Sequence, residues 1–230
     1  MAEELKETGL DRLDGESFSV RLVRDDYGLA LVGDGMELCG DFSRMLPRLR
    51  QGRLQQELLV KAARIKGAEA PTAVDCTAGL GEDSLLLAAA GFVVTLFERD
   101  QTIAALLADA LERAAADPRL AEAVGRMTLV ADDSIAGLAT LPEPPDVVYL
   151  DPMFPARTKS AAVKKKFQLL HHLEQPCEEE EALVAAALAA QPRKVVIKRP
   201  AKGALLAGMK PSYSVAGKAV RYDVLVPPRP

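Results

Sequence analysis

The sequence predicts an α/β protein, a doubly wound and mostly parallel sheet with a small β-rich lobe at its N-terminus. Three observations indicate this architecture. Residues 17–42 alternate apolar and polar side chains, as expected of half-buried strands. From Pro71 onward, short β-branched runs alternate with stretches of helical spacing. One of these runs, Val147–Leu150, is apolar without a break, which is typical of a strand covered by helices on both faces.

The chain divides into three predicted segments: the β-rich lobe, a basic helical connector and the main domain, which span residues 1–43, 44–70 and 71–230. Asp34-Gly35 in the lobe is typical of a hairpin turn. In the main domain we predict strands over Thr72–Cys76, Val93–Glu98, Met127–Ala131, Val147–Leu150 and Lys194–Lys198, with a closing strand pair in residues 212–226. We predict helices over Asp83–Ala90, Thr102–Ala116 and Glu179–Ala190.

Composition excludes several classes of protein. About half of the 230 residues are apolar (49%), enough for a substantial core, and no apolar run approaches the ~18 residues of a membrane span. The first residues are acidic where a signal peptide would be basic and then apolar, so we expect a cytoplasmic protein. The three cysteines form no Cys-x-x-Cys pair, and the adjacent His171 and His172 do not share a helix face, so we expect no metal site.

The net charge is only −4, but the charges are segregated along the chain. Residues 1–43 carry 4 basic and 11 acidic side chains, and residues 67–150 carry 4 and 14. Three other blocks are basic: residues 44–66 with 7 basic and 1 acidic, residues 151–175 with 5 and 2, and residues 191–221 with 8 and none. If these blocks converge in the fold they form a surface for a polyanion; otherwise each is a solvated face.

A glycine turn follows the first predicted strand of the main domain. Gly79 and Gly81 allow a tight turn and a close approach of the backbone to a ligand. Ser84 stands where a dinucleotide fingerprint has its third glycine, and Asp75 ends the strand before the turn. A carboxylate there disfavours a pyrophosphate and favours a ligand that carries an ammonium group.

S-adenosylmethionine is a ligand of that kind, with an ammonium, a sulfonium and an adenosine. Glu98 ends the second strand, where an acid can accept both ribose hydroxyls. The third strand ends in Asp132 and Asp133, whose carboxylates can accept the adenine amino hydrogens. Each acid alone is more often a helix cap, but acids at successive strand ends predict a site for this cofactor.

The segment VVYLDPMFP, residues 147–155, ends a buried strand with Asp151 on a loop stiffened by Pro152 and Pro155. Ligands bind at the carboxyl edge of an open α/β sheet, so a carboxylate and the aromatic Phe154 at this place indicate a site. The alternative is a plain strand end with a capping acid.

Together, AVDCTAGLGED, LFERD and VVYLDPMFP resemble the class I S-adenosylmethionine-dependent methyltransferases. More narrowly, residues 60–225 resemble the ribosomal RNA small subunit methyltransferase J family, most specifically through DPMFP and the following KSAAVKKK. The resemblance implies a Rossmann-like methyltransferase sheet and methylation of the exocyclic N2 of a guanine in 16S ribosomal RNA. The partner implied is small-subunit ribosomal RNA or the assembled 30S subunit, with no membrane and no metal.

The resemblance also assigns residues to roles. It places Glu82 and Asp83 at the cofactor turn, Glu98 and Arg99 beside the ribose, Asp133 and Ser134 near the adenine, and Asp151 where cofactor and substrate meet. Asp151 and the Pro152 carbonyl would orient the amine, and Phe154 would stack on the flipped base. The chain departs from the family at Glu82, where an arginine is usual, and in a glycine-rich run that is reduced to Gly52.

Basic residues after DPMFP and in the KRP segment are the predicted RNA contacts, namely Lys164, Lys165, Lys166, Lys198 and Arg199. Two other functions fit the pattern less well. A nucleotide-dependent oxidoreductase would need the missing third glycine and would not favour Asp75. A non-catalytic RNA-binding or assembly protein of the same fold would not bind S-adenosylmethionine.

Overall fold

The computed structural model describes residues 3–11, 17–33, 35–152 and 179–228. The N-terminal lobe is a four-stranded antiparallel sheet in the order β1-β2-β3-β4. Its strands are β1 (Glu3–Asp11), β2 (Ser17–Asp25), β3 (Gly28–Gly33) and β4 (Met36–Cys39). The predicted lobe is confirmed, with a first strand that the sequence pattern did not indicate.

The main sheet has seven strands in the order β10-β11-β9-β8-β5-β6-β7. They are β5 (Thr72–Asp75), β6 (Val93–Phe97), β7 (Met127–Val130), β8 (Val147–Leu150), β9 (Lys194–Pro200), β10 (Tyr213–Ala216) and β11 (Val220–Leu225). All pairings are parallel except those of β11, which runs antiparallel to both β9 and β10. The mostly parallel sheet is therefore confirmed.

Strand order reverses on either side of β5, since the chain proceeds to β6 and β7 on one flank and to β8 and β9 on the other. Crevices at such a reversal are where open α/β sheets bind ligands. The carboxyl ends of β5, β6, β8 and β9 share one edge of the sheet, called the carboxyl edge below.

The described helices are α1 (Leu46–Leu49), α2 (Leu58–Ala63), α3 (Glu82–Ala89), α4 (Gln101–Ala115), α5 (Ala121–Val124), α6 (Ser134–Ala139) and α7 (Glu180–Ala189). Helices cover both faces of the main sheet. One apolar cluster joins helices α2 to α5 to β6, and a second cluster joins α6 and α7 to β8 and β9. Within the described ranges, no helix is both long and apolar enough to cross a membrane.

The lobe packs directly on α4. Val20, Leu31 and Leu38 are buried together with Leu106 of α4, so that helix completes the core of the lobe. The buried Asp109 of α4 accepts hydrogen bonds from the Leu29 backbone N–H at 3.0 Å and from the Arg24 guanidinium at 2.7 Å. These polar contacts fix the lobe to the main domain.

The connector is less regular than one amphipathic helix. Residues 42–45 and 54–56 are single 3₁₀ turns, and Gly52 has a positive φ of 84° between them. Helix α2 then crosses β11 and β10. Its first residue, Leu58, lies against Gly217 in the turn between β10 and β11, and the carbonyl of Ala62 near its end accepts from Lys194 Nζ at the start of β9. The connector thus runs from the carboxyl edge to the opposite, amino edge.

Candidate active site

A cavity of about 920 Å³ opens at the carboxyl edge of the main sheet. The ends of β5, β6 and β8 and the first turns of α3 and α6 line it, and Leu38 and Cys39 of the lobe form part of its wall. This volume lies within the range of roughly 300–1,000 Å³ that is typical of sites for small molecules and cofactors. The lobe therefore contributes directly to the site.

The glycine turn forms the floor of the cavity. Gly79 and Gly81 have φ values of 53° and 77°, in the left-handed region that side chains disfavour. A Cβ on Gly81 would lie only 2.7 Å from Leu107 Cδ1 and 3.1 Å from Phe42. Both geometry and packing require glycine there, and Gly81 directly precedes α3, whose first residues Glu82 and Asp83 line the cavity.

Asp75 is buried beneath the turn, with a relative exposure of 1%. Ser84 Oγ donates to its Oδ2 at 2.6 Å and the Thr77 N–H donates to its Oδ1 at 3.0 Å. Burial raises the pKa of Asp75 to about 7 in spite of these hydrogen bonds. Asp75 lines the cavity, but both of its carboxyl oxygens already accept hydrogen bonds from residues of the glycine turn and of α3. Its main role is therefore to hold the conformation of the turn.

Ser84 explains the missing third glycine. A glycine at this position has no hydroxyl, whereas Ser84 is fully buried and donates to Asp75. The sequence pattern singled out the position but not this bond, since the donor and acceptor are nine residues apart.

Glu98 lies at the end of β6 beside the turn. Its Oε2 accepts from the Gly79 N–H and its Oε1 from the Asp100 N–H, both at 2.9 Å. Burial raises the pKa of Glu98, since the two amide bonds compensate only in part. Glu98 and the neighbouring Arg99 both line the cavity, and their contact with a ribose stays a prediction.

Asp133 and Ser134, at the start of α6, also line the cavity, whereas Asp132 is not part of its lining. Asp133 Oδ1 accepts from the backbone N–H groups of Ile135 and Ala136, so this acid caps α6. Capping uses one carboxylate oxygen of Asp133 and leaves Oδ2 as an acceptor, so a cap and a ligand contact are compatible.

Asp151 is joined to an ion-pair network that the sequence pattern did not reveal. Lys198 Nζ lies 2.8 Å from Oδ2 of Asp151 and 2.7 Å from Oδ2 of Asp83. The hydroxyl of the buried Tyr149 also donates to Asp83 Oδ2, at 2.6 Å. Thr77 Oγ1 accepts from the Asp151 N–H at 2.7 Å, which ties the end of β8 to the glycine turn.

The charges in this network are interdependent. Burial raises the pKa of Asp151, and the Lys198 ammonium opposes that rise. Burial lowers the pKa of Lys198, but the carboxylates of Asp83 and Asp151 outweigh it and the net shift is upward. Lys198 therefore remains a cation and favours the ionised form of Asp151.

Two predicted RNA contacts lie elsewhere than expected. Lys198 points into the cavity and is engaged by two carboxylates, so it is not available as a phosphate contact on the surface. Arg199 is only 4% exposed, and its Nε donates to the carbonyl of Ala204. Alternation along β9 explains both placements, because neighbouring side chains point to opposite faces of a strand.

The other predicted residues divide into two groups. Glu82, Asp83 and Pro152 line the cavity with the residues already described. Phe154 and the three lysines at 164–166 lie outside the described residues. The described ranges contain no group of three or more His, Cys, Asp or Glu side chains arranged to hold a metal ion.

Several cavity residues were missed by sequence reasoning. Tyr149 was assigned only to a strand, Tyr222 to the closing strand pair, and Arg48 to the connector; all three line the cavity. Arg48 is held by a two-bond ion pair with Glu57, at 2.9 and 2.7 Å. A tyrosine hydroxyl on an otherwise apolar strand was the one available signal, because a buried hydroxyl needs a partner.

S-adenosylmethionine fits this cavity. Its ammonium and sulfonium would be attracted by the acids that line the cavity, among them Asp83, Glu98 and Asp151. The left-handed glycines keep the floor free of side chains.

Comparisons with known proteins agree with this geometry. A family model for SAM-dependent methyltransferases matches residues 9–227. Ribosomal RNA small subunit methyltransferase J of Thioalkalivibrio sulfidiphilus is 45% identical, covering 93% of this chain and 88% of its own. The enzyme of that name from Neisseria meningitidis serogroup C is 39% identical, with coverages of 88% and 82%.

A solved structure has the same fold. The crystal structure of a SAM-dependent methyltransferase from Neisseria gonorrhoeae is 33% identical and superposes with a TM-score of 0.70, covering 87% of this chain and 79% of its own. The family model, the sequence identities to these relatives and the acidic cavity all indicate that S-adenosylmethionine is the methyl donor. The chain belongs to the ribosomal RNA small subunit methyltransferase J family of S-adenosylmethionine-dependent methyltransferases.

Proposed function

We propose that this enzyme transfers a methyl group to the exocyclic N2 amine of a guanine in 16S ribosomal RNA. The single observation that carries the proposal is the placement of Asp151, a carboxylate 36% exposed at the mouth of the cofactor cavity and held by Lys198. A carboxylate so placed can accept hydrogen bonds from an amine that enters from outside. The relatives named above act, by name, on small-subunit ribosomal RNA.

Asp151 and Pro152 act on the nucleophile. The lone pair of a guanine amine is delocalised into the ring, so the amine must be oriented before it can attack. Hydrogen bonds from the amine to the Asp151 carboxylate and the Pro152 carbonyl direct the lone pair at the methyl carbon and stabilise the charge that develops on nitrogen. Bound S-adenosylmethionine supplies an electrophilic methyl group on a sulfonium.

Lys198 acts through Asp151 and is a positioning residue. Its ammonium fixes one carboxylate oxygen by the 2.8 Å contact and leaves the other for the amine. Because Lys198 also binds Asp83 on α3, the carboxylate is anchored to the same helix that borders the cofactor. Preorganised charge of this kind reduces the reorganisation that the reaction requires.

The base must leave its stack to reach Asp151, which lies at the cavity rather than on a flat surface. Phe154 is the proposed stacking partner for the flipped guanine, and the lysines at 164–166 are proposed phosphate contacts. We also propose the cytoplasm as the location and the naked RNA or the assembled 30S subunit as the partner. Family membership excludes the oxidoreductase alternative.

The test is methylation of 16S ribosomal RNA transcripts and of 30S subunits with labelled S-adenosylmethionine, followed by nucleoside mass spectrometry. We expect N2-methylguanosine as the product. Asp151→Asn should reduce the single-turnover rate by about 100-fold or more, on the order of 3 kcal/mol, while cofactor affinity changes only a few-fold.

Glu181→Gln is the matched control, because it removes one exposed carboxylate from α7 outside the cavity lining. A methylated nucleoside other than N2-methylguanosine would refute the assigned acceptor. A wild-type rate in Asp151→Asn would refute the role of Asp151.

A further inference from the structure

Four exposed cations belong to loops that reach the carboxyl edge of the main sheet: Arg50, Arg53, Lys202 and Lys218, called the basic rim below. Arg50 and Arg53 belong to the loop between α1 and α2. Lys202 follows the end of β9, and Lys218 is in the turn between β10 and β11. They come from two basic blocks of the sequence that are about 150 residues apart.

Backbone contacts place Lys202 and Lys218 at the carboxyl edge. The Ala201 N–H donates to the Ala219 carbonyl at 2.9 Å, which joins the loop of Lys202 to the turn of Lys218. Arg221 Nη1 donates to the carbonyls of Pro200, Ala201 and Gly203 and fixes that loop further. Both lysines are thus presented on an ordered part of the sheet edge.

The connector loop lies beside the same turn. The Arg48–Glu57 ion pair closes the loop at its neck, and Arg48 itself lines the cavity. On the other side of the neck, Leu58 contacts Gly217 next to Lys218. Arg50 and Arg53 therefore belong to a loop whose two ends lie at the cavity and at the β10–β11 turn.

The rim cations are available for a ligand. None of the four forms an ion pair within the described ranges, whereas Arg44 and Arg48 nearby are paired with Asp41 and Glu57. Strands lie ~4.8 Å apart, so the β10 end of the rim is roughly 15 Å from Asp151 at the end of β8. Several nucleotides on one side of a flipped base can span that distance.

The opposite flank of the mouth has the opposite sign. At the ends of β6 and β7, the acids Asp100, Asp132 and Asp133 outnumber Arg99. A phosphate backbone is repelled on that flank and attracted by the rim. This difference in charge between the two flanks favours the basic side of the active site for an RNA strand.

We propose that the basic rim binds the phosphates of the ribosomal RNA strand adjacent to the target nucleotide. This inference rests on the proposed RNA substrate and adds the path of the strand, from Asp151 across the ends of β9, β11 and β10. An overall acidic enzyme thereby binds RNA through a local cationic surface, while its acidic cavity retains the cationic cofactor.

The test compares two triple variants with equal charge changes. The rim variant is Arg53→Gln, Lys202→Gln, Lys218→Gln. The control variant is Lys61→Gln, Arg64→Gln, Lys66→Gln, which removes exposed cations from the other end of the connector, toward the amino edge. Each set removes one arginine and two lysines.

Binding of a 16S ribosomal RNA transcript is measured by filter retention over a range of salt concentrations. We expect the rim variant to bind RNA at least tenfold more weakly. The slope of log affinity against log salt concentration should become less negative by about 2, because each of the three lost phosphate contacts contributes ~0.7 to that slope. The control variant should bind like wild type. Both variants should bind S-adenosylmethionine normally in calorimetry, which also shows that they are folded.

Equal RNA affinity in the two variants would overturn the rim while leaving the proposed methyltransferase function intact, provided that wild type methylates the RNA. If wild type binds no small-subunit RNA, the proposed substrate and the rim both fail. A rim variant that binds naked RNA normally but fails on 30S subunits would assign the surface to a ribosomal protein and would also overturn the inference.

Discussion

Removal of the Lys198 ammonium would leave two carboxylates facing each other. Nζ lies 2.7 Å from Asp83 Oδ2 and 2.8 Å from Asp151 Oδ2, so these two oxygens are at most about 5.5 Å apart. At an effective dielectric constant of about 20, the attraction between Lys198 Nζ and Asp151 Oδ2 at 2.8 Å is about 6 kcal/mol; the variant loses this attraction, while the repulsion from Asp83 remains. Asp151 is 36% exposed, and solvent screening reduces this to roughly 1.5–3 kcal/mol, or about one to two pKa units.

Lys198→Met should therefore raise the pKa of Asp151. The proposed reaction uses the carboxylate, so the rate falls as the pH drops through that pKa. We expect the acid limb of the single-turnover pH profile to move up by about one to two pH units. At a pH below the shifted pKa, the rate of the variant should be about 10- to 100-fold lower than the rate of wild type. Cofactor binding should be no weaker, because the cavity becomes more negative.

Two further variants control this experiment. Lys198→Arg keeps a cation and should retain most of the wild-type pH profile. Lys194→Met removes an ammonium from the other end of the same strand, where it donates to the carbonyls of Ala62 and Arg64, and should leave the acid limb in place. An acid limb in Lys198→Met that coincides with that of wild type would refute the positioning role.

Two other predictions concern the cofactor turn. Glu98→Ala should weaken S-adenosylmethionine binding at least tenfold, about 1.4 kcal/mol, because the carboxylate faces the cavity and holds the Gly79 N–H; unchanged affinity in calorimetry would remove Glu98 from the site. Burial raises the pKa of Asp75 to about 7, so the stability associated with its neutral form is present below the unfolded pKa of ~3.9 and is lost as the pH rises toward 7. Asp75→Asn preserves the shape and removes this titration, so the melting temperature should change less between pH 5 and pH 8 than in wild type; an equal change in both proteins would contradict the raised pKa.

Regular elements were predictable where local patterns dominate. Val147–Leu150 is a strand with the predicted bounds, because a continuous apolar run buried on both faces leaves no other choice. The strand Glu3–Asp11 was not predicted because its sequence is largely polar and it pairs only at the edge of the lobe sheet. Helix α6 was missed because Gly137 lies within it; the glycine is needed where the helix touches the Phe97 ring.

The site was predictable residue by residue but not as a network. Acids at strand ends follow from position alone, and those predicted in the main domain line the cavity with the exception of Asp132. The bridge from Lys198 to Asp83 joins residues 115 positions apart, and no local pattern carries that information. Charge density suggested RNA contacts for the KRP segment, but side-chain alternation along β9 turns Lys198 inward and buries Arg199.

The core of the lobe is completed by α4, a helix that is synthesised after the lobe strands, so these strands are exposed for a time on the nascent chain. Leu38 precedes Leu106 by 68 positions, so at ~5–20 residues per second the lobe strands wait roughly 3–14 s for the helix that buries them. During that interval the apolar face of the lobe sheet is uncovered on the nascent chain, and the unpaired edges of the sheet can add strands from neighbouring polypeptides. The first strand carries four acidic residues in its sequence, Glu3, Glu4, Glu7 and Asp11, and repulsion between such edges opposes strand addition. Acidic residues in the first strand thus oppose edge-to-edge pairing during the interval between synthesis of the lobe strands and synthesis of α4.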